Sequence, residues 1–209
     1  MSIDERRLRE YVANTTDDLY ETASRLVAAK SVTGDEAPAQ DVVIEEFEAM
    51  GLDLDAWEPS ADALADHPGY FVTSSYEEHG YEGRPNVATI KRESGDGRSL
   101  GFSGHVDVVG VEASSWTYDP WEGTIDGNGL YERGSADMKG GIAAYIHAVR
   151  ALDELGVELA GDLYLQTTIE EEVGASAGCS RRSNAVTSPT QPSFPNRIAS
   201  PTSALPAPA

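Results

Sequence analysis

The sequence predicts an α/β domain in which the strands of a sheet alternate with crossover helices. Residues Asp162 to Ile169 alternate apolar and polar side chains with the two-residue period of a buried strand. Residues Met138 to Leu155 carry an apolar stripe at three- and four-residue spacing, and Gly156 follows as a stop signal. Two strand-like runs, Asn86 to Lys91 and Ser99 to Ser103, precede that helix. The order strand, helix, strand is typical of an α/β sheet.

Two further helices are predicted before the first strand. The first presents an apolar face formed by Leu19, Ala23, Leu26 and Val27, after a predicted cap between Asn14 and Asp17. The second runs from Pro38 to Met50 and ends at Gly51. Residues 58–85 are predicted to be a loop, because prolines and glycines interrupt every period there.

The charge balance excludes some classes of partner. The 209-residue chain carries 36 acidic and 15 basic side chains, for a net charge of −21, and its only lysines are Lys30, Lys91 and Lys139. A nucleic-acid partner is not expected, because binding phosphates requires clustered cations. Concentrated salt would screen the self-repulsion of such a chain, which favours a halophilic source. An ordinary acidic cytosolic enzyme is the alternative.

Membrane insertion and secretion are also not expected. The chain has no run of eighteen apolar residues, and its first ten residues lack the apolar stretch of a signal peptide. We therefore expect a cytoplasmic protein with no membrane partner. Cys179 is the only cysteine, so neither an intrachain disulfide nor a thiolate zinc site is expected, and any metal must be held by histidines and carboxylates.

The composition changes abruptly after Gly178. Residues 179–209 contain six prolines and six serines but none of the 36 acidic residues. A segment of this kind cannot form a core, so we predict one domain over residues 1–178 and a disordered tail over 179–209. A natural Pro/Ser-rich tail and a frameshift near codon 179 both explain the change, and the frameshift is our preferred hypothesis.

Three clusters of chemically active residues lie at predicted strand ends or helix starts, where ligands gather in α/β sheets. In the first, His105 and Asp107 face the same side of an extended segment, as a metal-bound imidazole and its orienting carboxylate would. In the second, Asp137 opens the long helix, and Gly140 and Gly141 inside that helix indicate a close approach of another backbone or a site.

The third cluster is a run of three acids, Glu170, Glu171 and Glu172, directly after the buried strand. One histidine and several carboxylates suit zinc, manganese or cobalt. Each cluster also has a simpler interpretation: a structural histidine, an acid that interacts with the helix dipole, or a solvated charge run. His147 is predicted to be structural, and His67 and His79 to be solvated.

The sequence does not support three other classes of function or site. A serine hydrolase is unsupported because no Gly-x-Ser-x-Gly elbow occurs. A nucleotide-binding enzyme is unsupported because Lys139 is followed by glycine rather than serine or threonine. Residues Asp126 to Gly129 are predicted to form a turn rather than a calcium loop, since Leu130 occupies the next ligand position.

The three clusters together resemble a known family, the two-zinc metallohydrolases that include acetylornithine deacetylase, succinyl-diaminopimelate desuccinylase, aminoacylase and glutamate carboxypeptidase. The matching stretches are SGHVDVV from Ser103, WTYDPWEGTIDGNGLYERGSADMKGG from Trp116, and EEEVG from Glu170. The resemblance covers about residues 15–178. It implies part of a three-layer α/β/α catalytic domain with a zinc-peptidase-like fold.

The resemblance also implies roles for individual residues. His105, Asp137 and Glu172 would be metal ligands, with Asp137 bridging two zinc or cobalt ions. Asp107 would orient His105, and Glu171 would be the general base that activates water for attack on an amide carbonyl. The implied substrate is an N-acyl amino acid or a small peptide. The family usually has Asp where this chain has Glu170, so a one-residue slip between base and ligand stays open.

The sequence also departs from the family pattern. Family members have one further acidic ligand, about two dozen positions after the paired acids, and one further histidine ligand near the C-terminus, and neither occurs here. They also carry an inserted dimerisation domain that this chain lacks, so the homodimer of full-length relatives is not expected of it. The alternative to an active hydrolase is a truncated, inactive chain that retains weak metal binding.

Overall fold

The computed structural model describes residues 4–93 and 95–174. The predicted tail and the boundary at residue 178 lie outside these residues. The described part is an α/β structure with a four-stranded sheet in the order β1-β2-β6-β3 and a separate two-stranded hairpin, β4-β5. The helices are α1 (Glu5–Asn14), α2 (Thr16–Ala28), α3 (Ala37–Ala49), α4 (Ala61–Leu64), α5 (Ser74–His79) and α6 (Gly140–Glu154). The strands are β1 (Leu54–Trp57), β2 (Asn86–Lys91), β3 (Leu100–His105), β4 (Thr124–Asp126), β5 (Gly129–Tyr131) and β6 (Leu163–Thr168).

The sheet is mixed. β1 pairs with β2 and β2 pairs with β6 in antiparallel fashion, whereas β3 and β6 are parallel and are connected through α6. In the parallel pair, His105 lies opposite Thr168, so both strands end at the same level. The chain segments that follow these two strands therefore leave the sheet side by side. This arrangement brings two of the three predicted clusters together.

The main core lies between the sheet and a layer formed by α2, α3 and α6. Its fully buried members include Leu26 and Phe47 from the first two of these helices, Ile142 and Ile146 from α6, and Leu165 from β6. Burying a side chain of this size contributes about 1.5–3 kcal/mol. The predicted apolar faces of all three helices are therefore confirmed. No helix among the described residues is long and apolar enough to cross a membrane.

Buried charge joins the three helices of this layer. The Glu46 side chain on α3 is only 4% exposed. It pairs with Arg25 on α2 and with Arg150 on α6, where the Arg150 Nη2 to Glu46 Oε2 distance is 2.5 Å. Glu46 belongs to the apolar side of α3 by position, yet its carboxylate is satisfied by two guanidinium groups.

Some elements differ from the sequence-based expectation. The helix α1 and the edge strand β1 were not predicted, and α4 and α5 lie within the segment expected to be a loop. α1 carries only a short apolar row, Leu8, Tyr11 and Val12, in a strongly charged segment, and none of its residues is buried. The long helix begins at Gly140 rather than Met138, because Asp137 and Met138 have non-helical backbone angles. Asp126 to Gly129 forms the turn of the β4-β5 hairpin, as predicted.

Candidate metal centre

His105 occupies the last position of β3 and is 5% exposed. The backbone N–H of Val106 donates to the carbonyl oxygen of Thr168, which extends the β3-β6 ladder one residue past the strand end. Residues 105–107 therefore lie directly beside the turn that carries the three glutamates. The first and third clusters of the sequence are therefore neighbours in the structure.

Asp107 organises this neighbourhood. Its side chain is fully buried, and its Oδ1 lies 3.4 Å from Nδ1 of His105, whose Nδ1 is also 3.0 Å from the Asp107 carbonyl oxygen. The same carboxylate accepts the backbone N–H groups of Glu171 at Oδ1 and Glu172 at Oδ2, each at 3.0 Å. Nδ1 of His105 is thus engaged by Asp107, which leaves Nε2 to face the site. Asp107 orients the imidazole and also fixes the backbone of the neighbouring acids.

The segment after α2 stabilises Asp107 and its neighbours through hydrogen bonds. The Thr33 hydroxyl donates to Asp107 Oδ2 at 3.1 Å, and the Ser31 hydroxyl donates to the carbonyl of Val106 at 2.6 Å. The backbone of Ser31 and Thr33 pairs with that of Val108 through two hydrogen bonds of 3.0 and 3.1 Å. Sequence reasoning missed these residues. The only local signal is a Ser-Val-Thr run, which is common on any chain.

Asp137 reaches the site from a distorted segment before α6. Ser135–Lys139 forms a kinked turn in which Asp137 has φ −130° and ψ 99°, and the Asp137-Met138 peptide bond is cis. The Asp137 side chain is 79% exposed, and its Oδ1 lies 3.2 Å from Nε2 of His105. At Gly140, a Cβ atom would lie 2.4 Å from the Ser135 carbonyl oxygen, whereas at Gly141 it would meet the Met138 Cε atom at an ordinary contact distance of 3.7 Å. The close backbone approach inferred from the glycine pair is therefore real at Gly140 and not at Gly141.

The three consecutive glutamates do not share one environment. Glu170 has a left-handed φ of 67° and a fully buried side chain, which is bound by the hydroxyls of Thr73 and Tyr81. Glu171 is 50% exposed, with its Oε2 3.7 Å from Nε2 of His105. The three carboxylates therefore do not crowd together, because the left-handed backbone of Glu170 directs its side chain away from the site.

One group of potential metal ligands results. One ligand atom from each of His105, Asp137 and Glu172 lies within 4.8 Å of the others. These are the residues that the family resemblance implied as metal ligands. No second group of three histidine, cysteine or acidic side chains at such spacing occurs within residues 4–93 and 95–174.

The electrostatics of the site follow from this crowding. Burial lowers the pKa of His105, but hydrogen bonding to Asp107 and the negative charges of Asp107 and Glu171 outweigh it and raise the pKa to about 9. Burial opposes ionisation of Asp107, but His105 and the two backbone N–H donors outweigh it and lower its pKa. Burial and the nearby carboxylates raise the pKa of Glu172. The site therefore has an excess of negative charge and favours a cation.

A buried lysine, Lys139, lies at the end of the segment that carries Asp137. Sequence reasoning did not predict its role. Lys139 is fully buried, and its Nζ donates to the carbonyl of Ala29 at 2.8 Å. Burial lowers the pKa of Lys139 to about 8, against the opposing charges of Glu132 and Asp107. Burial has the opposite effect on the acid Glu132, whose pKa it raises to about 7. Lys139 ties the segment that carries Asp137 to the end of α2.

The remaining histidines lie apart from this site. His147 is buried on α6, and its Nε2 lies 2.9 Å from the Thr15 hydroxyl, beside the ring of Tyr11. Its predicted structural role is confirmed, since it joins α6 to the start of α2. His67 and His79 are exposed, as expected.

Comparison with known proteins gives a consistent picture. Residues 101–188 match the model of peptidase family M20/M25/M40, a stretch that extends past the described residues. The chain is 34% identical over 165 residues to a succinyl-diaminopimelate desuccinylase of Methylobacterium radiotolerans, which covers 78% of this chain and 37% of that protein. It is 47% identical over 98 residues to an N-formyl-4-amino-5-aminomethyl-2-methylpyrimidine deformylase of Bacillus subtilis, covering 45% of this chain and 23% of that protein.

Solved structures share the fold. Human carnosine dipeptidase 1 superposes with a TM-score of 0.66 at 20% identity, covering 82% of this chain and 36% of that chain. The dipeptidase Dug1p from Saccharomyces cerevisiae gives a TM-score of 0.66 at 18% identity, covering 84% and 36%. The chain thus spans between about a quarter and two-fifths of the length of the relatives it matches. Residues 101–188 and the curated relatives thus show that the chain resembles members of peptidase family M20/M25/M40 over part of its length, and the solved structures show a shared fold.

Proposed function

We propose that this chain forms the metal-binding and base-bearing part of a hydrolase that cleaves amide bonds in N-acyl amino acids or small peptides. The observation that carries the proposal is the convergence of His105, Asp137 and Glu172, whose ligand atoms lie within 4.8 Å of one another. The names of the two curated relatives support the reaction class, because a desuccinylase and a deformylase both remove an acyl group from nitrogen.

The residues present fit a divalent metal. One imidazole nitrogen and two carboxylates are ligands that zinc and cobalt accept. Nδ1 of His105 is already engaged by Asp107, so Nε2 is the nitrogen available to a metal. A bound zinc or cobalt ion would polarise the amide carbonyl and lower the pKa of a bound water. The negative surroundings described above supply the charge that such a cation needs.

Glu171 is the proposed general base. It is half-exposed, it borders His105, and its backbone is held by Asp107, so its carboxylate lies beside the site and is accessible to a substrate water. Glu171 would take a proton from the attacking water as the water oxygen adds to the amide carbon. When the carbon–nitrogen bond breaks, Glu171 would return that proton to the leaving nitrogen.

A matched pair of substitutions tests these roles. In a full-length relative of this chain, Glu171→Ala should abolish turnover and leave the metal content nearly unchanged, because Glu171 moves a proton and does not hold the metal. Glu172→Ala should lower metal content and turnover together. The assay combines metal analysis with hydrolysis of N-acetyl and N-succinyl amino acids. Loss of metal from Glu171→Ala with retention in Glu172→Ala would show that the two roles are exchanged.

A second candidate applies to the 209-residue chain itself, as a weak metal binder with little or no hydrolysis. The observation in its favour is that the described residues offer one group of three ligands, whereas a catalytic zinc normally has three protein ligands of its own. Two metals would then share His105, Asp137 and Glu172. Calorimetric titration of zinc into this chain, with an acylase assay, separates the candidates. Two tightly bound zinc ions with turnover on an N-acyl amino acid would exclude the second one.

A further inference from the structure

A buried polar network lies on the far side of the glutamate run from the candidate metal site. It consists of Glu36, Thr73, Tyr81, Arg84 and Glu170, each of which is at most 5% exposed. We call it the Arg84 network. It connects the loop before α3, the segment around α5 and the end of β6, which are far apart in sequence.

Glu170 is its link to the site. Its Oε1 accepts the Thr73 hydroxyl at 2.5 Å, its Oε2 accepts the Tyr81 hydroxyl at 2.9 Å, and Arg84 Nη2 lies 4.0 Å from Oε1. Both carboxylate oxygens are therefore used by groups of one neighbouring segment. The left-handed backbone of Glu170 is unusual for a residue with a Cβ, and such a conformation persists only where surrounding contacts hold it.

Arg84 extends the network back to the loop that supports Asp107. Its Nε and Nη2 donate to the two oxygens of Glu36 at 2.7 and 2.8 Å, a bidentate pair. Glu36 Oε1 in turn accepts the backbone N–H of Gly34 at 3.0 Å. The residue before Gly34 is Thr33, which donates to Asp107.

The contacts close a ring around the glutamate run. From Asp107 the ring passes through Thr33 and the adjoining Gly34 to Glu36, Arg84 and Glu170, and it returns through the backbone N–H of Glu171 to Asp107. The backbone of Glu171 and Glu172 is thus held by Asp107, and Glu170, the residue directly before them, is held by the Arg84 network.

We propose that Glu170 is a positioning residue, whose buried carboxylate, anchored by Thr73, Tyr81 and Arg84, sets the turn so that Glu171 and Glu172 face His105. The effect of this positioning role on metal binding rests on the proposed function. Its effect on the backbone does not, because the hydrogen bonds from Glu171 and Glu172 to Asp107 join protein groups alone.

Glu170→Gln is the primary test, because it keeps the side-chain length and removes the charge. In the chelator-treated chain, amide hydrogen exchange of Glu171 and Glu172, measured by NMR, should speed up at least about tenfold. The affinity for Co²⁺, measured by titration of the chain, should fall about tenfold, with a changed cobalt absorption spectrum. Tyr81→Phe removes one hydroxyl and keeps the ring, and it should produce the same changes at about threefold.

Glu46→Gln is the matched control. Glu46 is also a nearly buried carboxylate with arginine partners, but it joins α2, α3 and α6 and touches none of the site residues described above. Its substitution should lower the melting temperature and leave both the two amide exchange rates and the Co²⁺ affinity within about twofold. A role for Glu170 in general stability alone would make the two variants behave alike.

The outcomes separate this inference from the proposed function. If the wild-type chain does not bind Co²⁺, the proposed metal site fails, and the exchange rates still decide the role of Glu170. If Glu170→Gln leaves the exchange of both amides unchanged, the positioning role is overturned whatever the metal does. If Glu170→Gln does not fold, Tyr81→Phe decides in its place by the same two measurements.

Discussion

Replacing Asp107 with asparagine should destabilise the metal-free protein at neutral pH. Asp107 is fully buried and accepts two backbone N–H groups, one at each carboxylate oxygen. Asparagine offers a single oxygen, so its amide N–H₂ would face one of these donors. Leaving one of these part-buried N–H groups unpaired costs about 1–3 kcal/mol, and losing the charge on the other hydrogen bonds costs about 1 kcal/mol more. We therefore expect the unfolding free energy to fall by about 2–4 kcal/mol.

Urea unfolding monitored by tryptophan fluorescence in the presence of a chelator measures this loss. A change of this size corresponds to a fall in melting temperature of about 4–16 °C for a domain of this size. The control is Asp119→Asn, because Asp119 also accepts a backbone N–H, from Trp121 at 2.9 Å, but is exposed. Its effect should stay within about 0.5 kcal/mol.

The pH dependence gives the same prediction a second test. The folded-state pKa of Asp107 is lowered, so its contribution to stability is present above the unfolded pKa of about 3.9 and is lost as pH falls through the folded pKa. The difference between wild type and Asp107→Asn should shrink across that acidic range. Equal stability of the two proteins at pH 7, or a difference that grows in acid, would refute the reasoning.

Two further predictions concern α6. Gly140→Ala should destabilise the protein, because its Cβ would meet the Ser135 carbonyl oxygen at 2.4 Å. Gly141→Ala should instead stabilise it by up to about 1 kcal/mol. Thermal unfolding should therefore give changes of opposite sign in melting temperature, and two stabilised variants would contradict the prediction. Burial and the charge of Arg150 lower the pKa of His147, so folding should lose stability as pH falls from about 6.5 towards the folded pKa, where the unfolded state binds the proton first. His147→Gln should lack this component, and identical pH–stability profiles for the two proteins would exclude it.

Much of the fold follows from local patterns in the sequence. The stripes of α2, α3 and α6 and the alternation of β6 are set by which side chains must face the core, so a periodic count finds them. β1 was missed because it is a four-residue edge strand with one buried residue, and α1 because it has none. A four-residue strand is too short for a periodic count, and the short apolar row of α1 lies in a strongly charged segment.

The candidate site divides in the same way. His105 and Asp107 were paired by the strand alternation, and Asp137 and Glu172 by motif resemblance, because these relationships are local or recurrent. The different environments of Glu170 and Glu171 could not be predicted, since three identical residues in a row give no local distinction. The contacts that separate them come from Thr73, Tyr81 and Arg84, about ninety residues earlier. Only the tertiary structure brings these groups together.

A crystal structure of the chain grown with Zn²⁺, with diffraction data collected at the zinc absorption edge, tests the central claim most directly. The proposal predicts an anomalous peak for a zinc ion that is bound by Nε2 of His105 and by carboxylate oxygens of Asp137 and Glu172, at about 2.0–2.2 Å from each. A fully zinc-loaded crystal with no peak between these three side chains, or with its peak on other residues, would contradict it.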